Sequence, residues 1–416
     1  MTSRDRLEER LPKLLDELAA ARTPDYFDSM LRQTARTRQR PAWSSLERWL
    51  PMDIAARPAR LGLTSWRPVV IALVVLAVLL AVSAALFVGS RPRVPAPFGP
   101  ARNGLVLFSS TGGDIVSVDP ASGTTASVTT TGHKDWGPFM APDGRQFIFI
   151  RTTGGVDQLF AANTDGSSAH LVLATTSRDD WIDWAPASDR FVMVPAGGGV
   201  PSIVEVATGK VTPLNVEYAV AGAIWRPNTD QLILLEAKDP NLTVHVVTAA
   251  GTEVKSWPAV VGANSEMTVS PDGKQLAYHS WSDNAPGLHG RIHLMNLDTG
   301  KDTALTPDLS DGLVWETPDF SPDGSSLMVQ QFSAPGTTQD QLALLPASGG
   351  GQAVLIGSMH DGANGGMSGM FSPDGSQILV HYADDQTTWL YKVTGGQGQK
   401  LTWPGNGDFS WQRLAP

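Results

Sequence analysis

Cysteine is absent from this chain of 416 residues. Its absence excludes disulfides, thiol nucleophiles, Cys-ligated zinc and iron–sulfur clusters, and it leaves the redox compartment open. The usual catalytic signatures are missing as well. None of the eight histidines (133, 170, 245, 279, 289, 293, 360 and 381) falls in an H-E-x-x-H pattern, the spacing that puts two imidazoles on one helical face for zinc. His289 and His293 are four apart but flank a strand or loop, so nothing in the spacing makes them a metal pair. The runs Gly197-Gly198-Gly199 and Gly349-Gly350-Gly351 read as loops, and no Gly-rich stretch carries a Walker lysine. Gly366-Met367-Ser368-Gly369 approaches a G-x-S-x-G elbow, but Met370 stands where the closing glycine belongs. Asp179-Asp180 and Asp384-Asp385 read as solvated turns. The sequence therefore gives no catalytic residue, no metal site and no cofactor.

Positive charge is scarce outside the N-terminal arm. Residues 1–68 carry 13 Lys+Arg against 9 Asp+Glu, while the remainder carries 18 against 32. An acidic main body argues against nucleic acid as a partner, because phosphate binding needs a basic surface.

One long apolar run is present. Val69 to Val88 reads VVIALVVLAVLLAVSAALFV, 20 residues without charge, Pro or Gly. At about 1.5 Å per residue it matches the ~30 Å hydrocarbon layer. Trp66 and Arg67 flank one end and Arg91 and Arg93 the other, as interfacial anchors do. The residues ahead of it are too many for a cleaved signal peptide. A basic arm resists translocation, whereas a large acidic domain crosses readily. The expected topology is a single-pass protein of a bacterial cell membrane, with the N-terminus cytoplasmic and the main domain extracytoplasmic. The expected domains are a cytoplasmic helical arm (1–65), a transmembrane helix (66–90, core 69–88), a Pro-rich linker (91–102) and a repeat domain (103–416). Pro92, Pro95, Pro97 and Pro100 make the linker an extended, semi-rigid spacer.

A tetrapeptide recurs through the repeat domain: Ala141-Pro142-Asp143-Gly144, Ser270-Pro271-Asp272-Gly273, Ser321-Pro322-Asp323-Gly324 and Ser372-Pro373-Asp374-Gly375. Two decayed copies stand between them, at Trp184-Ala185-Pro186 with Asp189 and at Trp225-Arg226-Pro227 with Asp230. Prolines at 142, 186, 227, 271, 322 and 373 give steps of 44, 41, 44, 51 and 51 residues, a propeller-blade period. Proline presets φ, Asp bonds its own backbone and Gly takes positive φ, so each copy is a structural hairpin turn between strands. Leu105–Phe108 opens the domain with no such turn ahead of it, and 407–412 looks like a repeat strand with nothing after it. The expected fold is all-β: a propeller of seven four-stranded blades closed by the C-terminal strand, with six blades as the alternative if one degenerate repeat in 176–262 is not a blade.

These repeats resemble the TolB-type family of WD40-like (PD40) propellers over about 103–414. The resemblance implies an extracytoplasmic scaffold that binds proteins or small ligands across its funnel. That family also includes propellers that gate prolyl-oligopeptidase-like hydrolases, whose catalytic half has no counterpart in this sequence. In the arm, Leu7, Leu11, Leu14, Leu15 and Leu18 have helical spacing, Pro12 kinks the helix, and Thr23-Pro24 starts a second one. The arm resembles the cytoplasmic leader of bacterial anti-sigma-factor-like membrane proteins, which implies a cytoplasmic regulator held by residues 1–65; a zinc-type version is excluded by the lack of Cys.

Propeller sites are assembled from loops scattered around a channel mouth. Asp180, Trp181, Glu316 and His360 are expected on loops entering the innermost strands, facing the funnel as binding rather than catalytic residues. The functional expectation is a membrane-anchored scaffold for a protein or other ligand. Its alternatives are a transmembrane regulator with the propeller as sensor, and a propeller hydrolase or lyase.

Overall fold

The computed structural model describes residues 70, 72–79, 96–130, 132–236, 242–259, 263–281, 290–306, 314–332, 340–350, 352–358, 366–383, 385–403 and 408–415. The arm (1–65) and most of the Val69 to Val88 run lie outside them. Residues 72–79 are helical, and among the described residues no helix is long and apolar enough to cross a membrane.

Among the described residues the unit Pro92–Pro416 holds 28 strands, β1 to β28 in chain order. They form seven four-stranded antiparallel blades. Blade one takes its innermost strand from the end of the chain: β28 (Phe409–Leu414), β1 (Arg102–Ser109), β2 (Ile115–Val118) and β3 (Thr125–Ser127). Blades two to seven run outward from β4 (Lys134–Met140), β8 (Trp181–Trp184), β12 (Val220–Trp225), β16 (Ala263–Val269), β20 (Val314–Phe320) and β24 (Met367–Phe371), each followed by three further strands. Both degenerate repeats form full blades, so the ring has seven members and not six. A single parallel pair, Gly290 with Val314, also links blades five and six.

The seven blades are held by seven apolar clusters, one at each blade-to-blade contact. Alternation along the strands makes this possible, since successive side chains leave opposite faces of the sheet. In blade four, Leu232 and Leu234 pack toward blade three, while Ile233 and Leu235 pack toward blade five. In blade two, Phe147 and Phe149 face blade one and Ile148 faces blade three. A blade covered on both faces needs continuous apolar runs, and these runs are such stretches. The seventh cluster joins Val106, Phe108 and Trp411 of blade one to Leu379 and Trp403 of blade seven.

The recurrent turns have one geometry. The glycine N–H donates to the carbonyl of the first residue, at 2.9 Å for Gly144 and 2.7–2.8 Å for Gly273, Gly324 and Gly375. All four glycines have φ between +68° and +73°. In three copies the serine hydroxyl donates to the Asp carboxylate at 2.6 Å (Ser270 to Asp272, Ser321 to Asp323, Ser372 to Asp374). In the decayed copies Ser188 (φ +60°) takes the glycine's place, and Asn228 (φ +60°) adopts the same region one residue earlier in its turn. The Asp residues are thus occupied with the turn.

Residues 96–101 lie on the propeller ahead of β1. Arg413 donates through Nη2 to the carbonyls of Ala96 and Gly99, and the Ala101 N–H donates to Pro373 O at 2.8 Å.

Candidate functional site

The innermost strands wall a central channel. The residue three places before each motif proline recurs on that wall: Phe139, Asp183, Ile224, Thr268, Asp319 and Met370, with Ser410 as the counterpart in β28. All seven line one cavity of about 530 Å³. It lies at the turn end of the channel, where Pro271, Pro322 and Pro373 form part of the rim and Pro97, Phe98 and Gly99 sit in the mouth.

The four polar members of this ring, Asp183, Thr268, Asp319 and Ser410, tie adjacent blades. The Ser410 hydroxyl accepts from the Met140 N–H at 2.8 Å, joining blades one and two. The Asp183 carboxylate accepts from the Trp225 N–H at 2.7 Å, joining three and four. Asp319 bonds the side chain of Thr268, joining six and five. Burial pushes both Asp183 and Asp319 up from 3.8 to about 7, against the opposing pull of backbone N–H donors.

The sign of the resulting pH dependence is fixed. Folded-state values above the unfolded ones mean that the folded chain holds extra protons between about pH 4 and pH 7. Stability therefore falls as pH rises through that window, and the burial penalty is complete above it. Asp319→Asn keeps the acceptor and removes the charge. It is expected to raise stability at about pH 8 by about 1–3 kcal/mol and to flatten the pH profile, as urea unfolding at about pH 5 and about pH 8 would report.

At the opposite, loop end a second cavity of about 540 Å³ lies among blades three, five, six and seven. Its lining includes Trp181, Glu266, Thr317, Gln330 and Ser368. It shares Trp181, Met267, Thr268 and Asp319 with the first cavity.

The residues named from the sequence are distributed as follows. Asp180 organises its own loop, accepting from the Thr176 hydroxyl (3.0 Å), the Ser177 N–H (2.8 Å) and the Ala196 N–H (3.0 Å). Trp181 lines both cavities and donates through its indole N–H to Ala223 O at 2.7 Å. Glu316 precedes Thr317 of the loop-end cavity. Burial pushes it up to about 7, with the Glu266 and Asp340 carboxylates adding to the shift. His360 lies outside the described residues. The structure thus brings Trp181 to the cavity wall and Glu316 to its margin. Sequence reasoning missed Asp183, Asp319, Glu266 and Gln330. The two aspartates carried a signal, because aligning the repeats on their prolines places both at one channel-facing position.

Among the described residues no group of three His, Asp or Glu side chains is placed to hold a metal ion. No family model matches the chain. It is 24% identical over 139 residues to a protein described as a TolB homolog from Chlorobium chlorochromatii, a match covering 33% of this chain and 31% of that one. The match thus spans less than a third of its curated relative. Among solved structures, a protein from Lactobacillus plantarum aligns over 74% of this chain and 99% of its own, with a TM-score of 0.53 and 16% identity. An oligogalacturonate lyase from Vibrio parahaemolyticus aligns over 73% and 86%, with a TM-score of 0.51 and 13% identity. A prolyl endopeptidase aligns over 73% and 50%, with a TM-score of 0.53 and 11% identity. At such identities the structural likeness establishes fold alone. The chain is a seven-bladed β-propeller, TolB-like in the stretch that matches. Lyase and peptidase chemistry belong to the neighbours that bear those names.

Proposed function

We propose that this protein is a binding scaffold: a propeller held at the outer face of a bacterial membrane by the Val69 to Val88 span, which takes up a protein ligand at its channel mouth. The observation that carries the reading is the loop-end cavity, rimmed by carboxylates and walled by Trp181, in a ring whose other polar channel residues are used to tie blades together. The TolB-like stretch supports a scaffold rather than a catalyst. The uncharged 20-residue run and its basic flanks support the anchor and the orientation.

Full-length protein, tagged and gently solubilised from native membranes, would be pulled down beside a variant lacking residues 1–65. Envelope partners retained after the deletion are the expected result. Loss of a cytoplasmic factor on deletion, with no envelope partner, would replace the scaffold with a regulator working through the arm. Protease added to intact spheroplasts should digest the propeller, and protection would overturn the orientation.

A further inference from the structure

The loop-end cavity has three features that a passive void lacks. The first is an orphan donor. Gln330 lines the cavity and is 2% exposed; its Oε1 accepts from the Thr317 hydroxyl at 3.5 Å, but its Nε2 has no partner among the described residues. A buried donor left unpaired is costly, so a persistent one points to an acceptor supplied from outside.

The second is a strained backbone. Thr317 has φ +48°, an outlier for a β-branched residue. Five places before its motif proline, it occupies the position that Gly137 (φ +56°) fills in blade two. Blade six thus keeps a side chain where glycine would relieve the strain. The bulge between Glu316 and Asp319 brings the Thr317 N–H to the Glu266 carboxylate of blade five, at 3.0 Å.

The third is uncompensated charge. Residues 302–391, which include all of blade six and the inner part of blade seven, contain 11 Asp+Glu and neither Lys nor Arg. Glu316 is half-buried and faces Glu266 from blade five and Asp340 from its own blade. Among the described residues no ion pair reaches Glu266 or Glu316.

We propose that this cleft binds a peptide through a primary ammonium group, seated against Glu266 and Glu316, with a nearby peptide carbonyl accepting from Nε2 of Gln330. The inference rests on the scaffold reading and specifies its ligand chemistry. The ammonium could be a peptide's amino terminus or a lysine side chain, which share this chemistry.

The test is titration of full-length protein with three short peptide amides: tetra-alanine with a free amino terminus, its N-acetylated form, and N-acetyl-Ala-Lys-Ala. At least one ammonium peptide is expected to bind about tenfold or more tighter than the acetylated neutral one, and which one does so identifies the source. Glu316→Gln should remove about tenfold of that affinity and leave the neutral peptide unchanged. This substitution also relieves the carboxylate cluster, so the variant should melt no lower than wild type, which separates lost binding from lost folding. For a lysine peptide, wild-type affinity should rise between about pH 6 and about pH 8 as Glu316 ionises, and the Glu316→Gln rise should be shallower, the remainder coming from Asp319 in the wall of the same cavity. Equal binding of acetylated and free peptides, or unchanged affinity in Glu316→Gln, would overturn the inference. So would no binding of any peptide by a protein that still captures envelope partners, an outcome that leaves the scaffold reading standing.

Discussion

Removal of residues 409–416 abolishes the cooperative unfolding transition: this is the largest effect expected of any small change to the chain. Those residues supply β28, the innermost strand of blade one, paired to β1 from Arg102–Leu414 to Phe108–Phe409. Without it β1 exposes an unpaired edge. Two of the seven blade contacts are also damaged, because Trp411 belongs to the cluster with blade seven and the Ser410 hydroxyl holds the Met140 N–H of blade two. Gln412 adds a bond to Gly144 O at 2.7 Å and accepts from the Leu105 N–H at 3.1 Å. Domains are stable by only about 5–15 kcal/mol in total, and truncating one buried tryptophan costs about 3–5 kcal/mol. Loss of the whole strand exceeds what the remainder can offset. Urea unfolding followed by tryptophan fluorescence would test this: the truncated chain should show a broad drift, and Trp411→Ala a cooperative transition at lower urea. A sharp transition in the truncated chain would show that an open ring is stable.

Asp135→Ala should destabilise the propeller by about 3–5 kcal/mol, the second large effect. Asp135 is fully buried in β4 and takes a two-point hydrogen bond from Arg151, at 2.7 and 2.8 Å. The guanidinium carbon lies 4.7 Å from the Phe160 ring centroid and 5.2 Å from that of Phe149. Removing the carboxylate strands a cation among aromatic rings. Replacing both partners avoids that penalty, so Asp135→Leu with Arg151→Met should recover most of the loss. The difference between single and double variants, read from urea midpoints at constant m-value, measures the stranded charge. An Asp135→Ala variant within about 0.5 kcal/mol of wild type would mean that water reaches the guanidinium.

The architecture was legible because its determinants are local. A Pro-Asp-Gly turn closes within four residues, and its spacing counts blades without any tertiary knowledge. The pairing of 409–414 with β1 followed from counting strands at each end. The weak copies left six blades open, because Ser188 and Asn228 carry the positive φ that glycine advertises elsewhere. The channel was harder to read. Glu316 was named from the sequence, but Glu266 and Gln330 join it only when two blades pack side by side in the ring, so no spacing along the chain announces the cluster. Asp180 illustrates the reverse: it has the look of a ligand-facing acid, yet two donors from its own loop and the Ala196 N–H occupy its oxygens. Asp183 and Asp319 were within reach of the repeat alignment, since one turn-relative position faces the channel in every blade.

The bonds around Arg413 make one joint of two. The segment at 96–101 is where the chain arrives at the propeller, and Arg413, which grips its carbonyls, belongs to the strand that shuts the ring. A pull on the chain ahead of residue 96 therefore bears on the closing seam itself. Entry segment and lock are mechanically in series, and tension that frees Pro97, Phe98 and Gly99 from the channel mouth must first work against the grip of β28.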